Sequence, residues 1–185
     1  MAQQTLKGTV SDDAIKLLGL LVDEENCRIL DIGAGNGIIA RWLSDQGHDV
    51  LAIDIHEIPS AIKTSPSKGL RYIKGNFLTN QINQKFDRVL LMGVLHYCQS
   101  SDDLEGLLKK ATSLLKTNGK LGAAWILKTE PKRANVYEPT VEQVKNILKG
   151  EMCSEIKGWT KHVHHDDHHG IHEHKMYYTV FEHQS

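Results

Sequence analysis

The 185-residue chain is 40% hydrophobic and 24% charged, with a formal net charge of -1. That composition excludes a fibrous or low-complexity chain and gives no global pull toward nucleic acid or an anionic membrane. The length suits one domain with one core, and no apolar run is long enough to span a bilayer.

The polar start, Met1 to Gly8, lacks a signal-peptide pattern. Three cysteines, Cys27, Cys98 and Cys153, are odd in number and far apart, which fits reduced thiols in a cytoplasmic protein. Ser11 to Val22 predicts a helix, with Ser11 as N-cap and Ile15, Leu18 and Val22 on one face. Ile29 to Ile32 predicts a buried strand, Gly33 to Gly37 a tight loop, and Ile38 to Gln46 a helix. A strand, a glycine loop and a helix in that order form a ligand-binding corner in α/β proteins. The glycines run 33, 35, 37, a G-x-G-x-G pattern rather than the G-x-G-x-x-G of dinucleotide sites. Asp31, just before them, is awkward beside a pyrophosphate but suits an ammonium or sulfonium charge.

Asp49 to Asp54 predicts the second strand, and an acid at its end, Asp54, can bind both hydroxyls of a ribose. The alternative role for Asp54 is a helix cap. Pro59 to Lys68 reads as a short helix and loop, and Leu70 to Ile73 as the third strand. Asn76 follows it with a carbonyl that can accept a hydrogen bond, and Phe77 offers apolar cover or core. Phe86 to Met92 predicts the fourth strand, running into Gly93-Val94-Leu95-His96-Tyr97. His96 is a general-base candidate because an imidazole titrates near neutrality; the alternative is a packing or capping histidine. Tyr97 and Cys98 are lesser candidates for the site.

Ser101 to Leu115 predicts a helix, Leu121 to Leu127 the fifth strand, and Pro131 to Glu138 a polar loop with Lys132 and Arg133. Thr140 to Lys149 predicts a helix opened by a capping box, Thr140 with Gln143. Met152 to Trp159 and Lys175 to Glu182 predict two strands. Between them lies a run rich in histidine and aspartate, from His162 to His174, expected as a loop. It is read three ways: a solvated loop, a substrate contact, or a site for a divalent transition metal. On the metal reading, His162 and His164 share one strand face and His172 and His174 another, and an in-register hairpin would bring the four together.

Taken together these motifs resemble the class I S-adenosylmethionine-dependent methyltransferases. Asp31-x-Gly33-x-Gly35-x-Gly37 is similar to that family's motif I, and Phe86 to Tyr97 to its motif IV. Leu114 to Gly119 is similar to its "LLKPGG" turn, with Thr117 and Asn118 in place of Pro-Gly. The resemblance implies an α/β, Rossmann-like sheet of seven mostly parallel strands, order 3-2-1-4-5-7-6, with helices on both faces and a C-terminal antiparallel hairpin. It divides one domain into a helical cap (1–25, a packing helix or a flap), a cofactor-binding core (26–150) and the hairpin with its His-rich loop (151–185).

The implied cofactor is S-adenosylmethionine. Asp31, Gly33, Ala34, Gly35 and Gly37 would hold its methionine portion, Asp54 with Ile55 its ribose, and Asn76 with Phe77 its adenine; Met92 and Gly93 would border it. His96 would be the catalytic base and Tyr97 a substrate contact. Asn76 departs from the family's more usual aspartate. The chain reads Met92-Gly93-Val94-Leu95 after the fourth strand, with no Asn/Asp-Pro-Pro-Tyr/Phe motif. A small-molecule acceptor is therefore expected first and a protein side chain second, with neither nucleic acid nor membrane as partner. Rival readings are a non-catalytic cofactor- or metal-binding module built on the His-rich loop, and, more remotely, an NAD-type oxidoreductase.

Overall fold

The structure is a computed structural model. It describes residues 10–57, 69–131, 137–167 and 170–184. In chain order the elements are α1 (Asp12–Leu21), β1 (Arg28–Ile32), α2 (Ile38–Asp45), β2 (Asp49–Asp54), β3 (Leu70–Lys74), β4 (Phe86–Met92), a 3-10 turn (Leu95–Tyr97), α3 (Ser101–Ser113), β5 (Leu115–Glu130), α4 (Val141–Gly150), β6 (Cys153–Asp167) and β7 (Gly170–His183). The strands form one seven-stranded sheet of order β3-β2-β1-β4-β5-β7-β6. The first five pair in parallel; β7 runs antiparallel to β5 and β6 antiparallel to β7. This is the expected order.

The central strands are apolar at nearly every position because both faces are covered. Alternation then splits each strand between two cores. Leu30, Ile32, Leu51, Ile53, Val89 and Leu91 pack with Leu104, Leu107 and Leu108 of α3 and Val144 and Leu148 of α4. Ile29, Val50, Ala52 and Leu90 pack on the other face with Leu17, Leu18 and Leu21 of α1 and Ala40 and Leu43 of α2. No helix among the described residues is long and apolar enough to cross a membrane.

Local sequence explains most helix ends. Ser11 Oγ accepts from the Ala14 amide at 3.1 Å, and Thr140 and Gln143 form the reciprocal capping box. The described part of α1 lies against β5 and β7, where its leucines are buried, with Leu17 and Leu21 over Gly122. Its last turn is tied to β4 by Arg88, which is buried and donates from Nε to the Leu21 carbonyl (2.6 Å) and from Nη2 to Asp23 (2.8 Å).

The boundary between α3 and β5 differs from expectation. The helix expected over Ser101 to Leu115 stops at Ser113, because Leu115 already pairs with Phe86 of β4. The chain then loops out of the ladder before Lys120 pairs with Arg88, with Asn118 at φ 61°. The expected turn thus exists inside a longer strand, and Asn is one of the few residues that takes that φ cheaply.

The hairpin strands are much longer than expected, and the His-rich run is mostly ladder rather than loop. His162 pairs with Lys175, Val163 with His174, and His164 with Glu173. Directly opposite residues share a face. His162 and His164 therefore share a face with Lys175 and Glu173, while His172 and His174 point the other way. The four-histidine metal site is corrected on this ground: the register separates the pairs by the thickness of the sheet. His164 instead meets Glu173, Nδ1 to carboxylate 3.2 Å. Among the described residues no group of three or more His, Cys, Asp or Glu side chains is placed to hold a metal. The expected helix at Pro59 to Lys68 and the residues Lys132 and Arg133 lie outside the described residues.

Candidate active site

A cavity of about 760 Å³ opens at the carboxyl ends of β1, β2, β3 and β4. Open parallel sheets place their ligands at this edge, and the volume suits a ligand of nucleoside size. Among its lining residues are Gly33, Gly35, Asp54, Ile55, Asn76, Phe77, Met92, Gly93 and Tyr97, all expected from sequence. Asp31, Ala34, Gly37 and His96 are not among the lining residues.

The glycine loop is built as its spacing requires. Gly33, Gly35 and Gly37 have φ of 70°, 54° and 74°. At Gly33 a Cβ would lie 2.4 Å from Val94 Cγ2, so the loop and the turn after β4 interlock with room for hydrogen only. The Gly33 and Ala34 amides donate to the Ile53 carbonyl at 2.8 and 3.2 Å. Asp54 straps the loop to β2: its Oδ2 accepts from the Gly35 amide and its Oδ1 from the His56 amide, both at 2.8 Å. A carboxylate has about four lone-pair sites, so it retains acceptor capacity toward the cavity.

Asp31 is 2% exposed, and its Oδ2 has no hydrogen-bond partner among the described residues. Burial, and secondarily the Asp54 charge, push its carboxyl up to about 7. A buried acid lacking a partner beside a glycine cradle is the pattern a cationic ligand would complete.

After β3, where the sequence led to an expected adenine contact, the side chains also have local roles. Asn76 Oδ1 already accepts from the Leu78 amide at 2.8 Å, capping the turn after β3. Phe77 is 6% exposed and belongs to the core, with Lys110 over its ring. The exposed apolar side chains at the cavity are instead Ile55, Leu78 and Tyr97. Sequence reasoning missed Leu78, Val94, Asp103 and Leu107. The last two sit four apart on α3.

His96 lies beside the cavity rather than on it. Its Cε1 is 3.8 Å from where a Gly93 Cβ would stand, and its ring packs on Tyr97 at 4.4 Å between centroids. Its Nδ1 is buried and has no partner among the described residues. Burial, with help from His174, pulls its pKa down to about 4, so the ring is neutral at pH 7. Cys98 also lines the cavity, but burial pushes its thiol up to about 11, which leaves it an inert group.

The comparisons with known proteins bear on the family and the fold. A family model described as "Methyltransferase domain" matches residues 30–123, from β1 into β5. A Schizosaccharomyces pombe protein named as a mitochondrial ubiquinone biosynthesis O-methyltransferase is 34% identical over 120 residues, which is 57% of this chain and 42% of that protein. The chain spans about half the length of the first curated relatives it matches. Among solved structures, the 1,6-didemethyltoxoflavin-N1-methyltransferase of Burkholderia thailandensis, bound to its substrate and S-adenosylhomocysteine, superposes with TM-score 0.74 at 20% identity, covering 96% of this chain and 80% of that one. The N-methyltransferase NodS of Bradyrhizobium japonicum, with S-adenosylhomocysteine, gives 0.70 at 16% identity, covering 100% of this chain and 99% of that one. At those identities the superpositions speak for the fold alone. The family match spans half the chain and contains the glycine loop, Asp54 and the end of β4, so the chain belongs to the class I S-adenosylmethionine-dependent methyltransferases.

Proposed function

We propose that this chain transfers a methyl group from S-adenosylmethionine to the hydroxyl of a small molecule, acting as one domain. The observation that carries the reading is the pair of carboxyl groups at the glycine loop. Asp54 faces the cavity as a ribose acceptor strapped to Gly35, and buried Asp31 lacks a partner that a ligand's ammonium would supply. S-adenosylmethionine brings an electrophilic methyl group on a sulfonium sulfur, so the protein's task is alignment and water exclusion. Gly35, where a Cβ would meet nothing within 4 Å, leaves the backbone open to close approach by a ligand. Ile55, Leu78 and Tyr97 supply apolar cover. His96, neutral and next to Gly93, is the group this reading assigns to take a proton from the acceptor.

The O-methyl assignment draws on the name of the yeast relative, and a small-molecule acceptor also agrees with the chain's lack of net positive charge. Free, buried Cys27, Cys98 and Cys153 fit a reducing, cytoplasmic setting.

The test is calorimetry with S-adenosylmethionine, S-adenosylhomocysteine and NAD. The two adenosyl ligands are expected to bind and NAD to give no heat. Asp54→Ala should weaken adenosyl binding about tenfold to a hundredfold, the worth of hydrogen bonds to a charged group. Equal binding by that variant, or binding of NAD alone, would sink the assignment.

A further inference from the structure

Two walls of the cavity differ in kind. The glycine loop and Asp54 form one, assigned above to the amino-acid arm and the ribose of the ligand. The other lies where the turn after β3 meets α3. Asp103, Leu107 and Lys110 recur at i, i+4 and i+7 along α3, so they share one face of the helix. Lys110 Nζ donates to the backbone carbonyls of Phe77, Leu78 and Asn80 at 2.7, 2.9 and 2.7 Å. Those three bonds clamp the turn that carries Asn76 to the helix that carries Asp103. Ile53, Phe77, Leu78 and Leu107 give this wall apolar surface, which suits the flat base of a nucleoside.

An amide and a carboxylate interrupt that surface, Asn76 and Asp103, and each is half engaged. Asn76 turns its Oδ1 to the Leu78 amide at 2.8 Å. An N–H donor requires the oxygen there, so the NH2 is the branch left for a ligand. That NH2 cannot serve another amino group; it can donate to a ring nitrogen. Asp103 accepts from the Gln99 amide on Oδ2 at 3.1 Å. An ionised carboxylate only accepts, so Oδ1 is left as an acceptor. Among the described lining residues the one other carboxylate is Asp54, strapped to the glycine loop. A donor beside an acceptor complements adenine, whose exocyclic amino group adjoins an unprotonated ring nitrogen. Hypoxanthine presents a carbonyl and an N–H at the same two positions, which is the reverse pattern.

Resting on the S-adenosylmethionine reading above, we propose that Asp103 sets the specificity of the site for its base: Oδ1 accepts from the exocyclic amino group of adenine, while the Asn76 NH2 donates to the neighbouring ring nitrogen.

A near-isosteric change separates this role from a structural one. Asp103→Asn keeps an oxygen for the Gln99 amide and turns its NH2 toward the base, where it opposes an amino group and meets a carbonyl. The loss of the local bond is avoided, and only the sign of the contact to the base is exchanged.

The experiment is calorimetry with S-adenosylhomocysteine and its deaminated analogue, S-inosylhomocysteine. The wild type is expected to favour the adenosyl ligand about tenfold to a hundredfold, the worth of hydrogen bonds to a charged group. Asp103→Asn should abolish that preference. Adding Asn76→Asp, which offers an acceptor to the ring N–H, should make the double variant favour the inosyl ligand. Asp102→Asn, on the exposed side of the same turn, should leave the affinity ratio as it is in the wild type. Asp103→Ala, read by the same ratio, serves if Asp103→Asn does not fold. An undiminished preference for the adenosyl ligand in the Asp103 variant would overturn the proposal, as would a wild type that binds both ligands equally. Failure of the wild type to bind S-adenosylhomocysteine would instead bring down the methyltransferase reading, and this inference with it.

Discussion

Asp31 shows how much a single buried carboxyl can report. Its folded pKa of about 7 lies above the ordinary 3.8, so the folded state holds a proton that the unfolded chain releases. Its contribution to stability is therefore fully present below about pH 3.8 and lost as pH rises through about 7. Denaturant titrations at pH 5.5 and pH 8 should show the wild type losing more stability than Asp31→Asn on the move to pH 8. A ligand ammonium beside Asp31 reverses the balance by favouring the charged form. Binding of S-adenosylhomocysteine near pH 6.5 should then release a proton, seen as a buffer-dependent enthalpy that vanishes in the variant. At this scale the sequence was informative about charge type: Asp31 and Asp54 were read as ligand-facing acids from their positions at strand ends. Asn76 was read from sequence as an adenine contact, and the turn cap its side chain forms with the Leu78 amide was not foreseen, because a local hydrogen bond of this kind competes with any ligand for that oxygen.

Two glycines separate the roles of two element contacts. At Gly33 an added Cβ would sit 2.4 Å from Val94 Cγ2 on a backbone at φ 70°. Gly33→Ala should cost about 1–3 kcal/mol and also weaken S-adenosylhomocysteine, since the 94–97 turn must move. At Gly122 an added Cβ would meet Leu21 and Leu17 of α1 at 2.9 and 3.0 Å. Gly122→Ala should lower stability by roughly 1 kcal/mol and leave ligand affinity unchanged, because that face of β5 is remote from the cavity. Paired denaturation and calorimetry distinguish the two outcomes; an equal loss of affinity in both would refute the separation. Elements with a strong local signal were legible at this scale. β4 runs from Phe86 to Met92 as read, and α4 follows its capping box. The start of β5 was not, since Leu115 continues the helical leucine pattern and only pairing with Phe86 pulls it into the sheet.

For the whole molecule, ligand binding is linked to folding. A ligand at a hundred times its Kd stabilises the native state by about 2.7 kcal/mol. In a chain of this size that corresponds to a Tm rise of about 5–10 °C. S-adenosylhomocysteine should produce such a rise, while NAD at the same concentration should produce none; scanning calorimetry of both checks it. A Tm that ignores S-adenosylhomocysteine at saturating concentration would contradict the site.

Read alone, the sequence determined the glycine-loop corner, the acids beside it, the fold class and the strand order. Each depends on residue type and spacing within a short window, or on a resemblance carried by such windows. Tertiary structure alone decided the length and register of the β6–β7 hairpin, and so the fate of its histidines. A period-two strand has two faces, and a pairing offset of a single residue exchanges them. Nothing in the run from His162 to His174 announces which face meets β5. The pairing of Val163 with His174 and of Thr129 with His174 settled it, turning His172 and His174 toward the neighbourhood of His96 and leaving His162 and His164 on the opposite face.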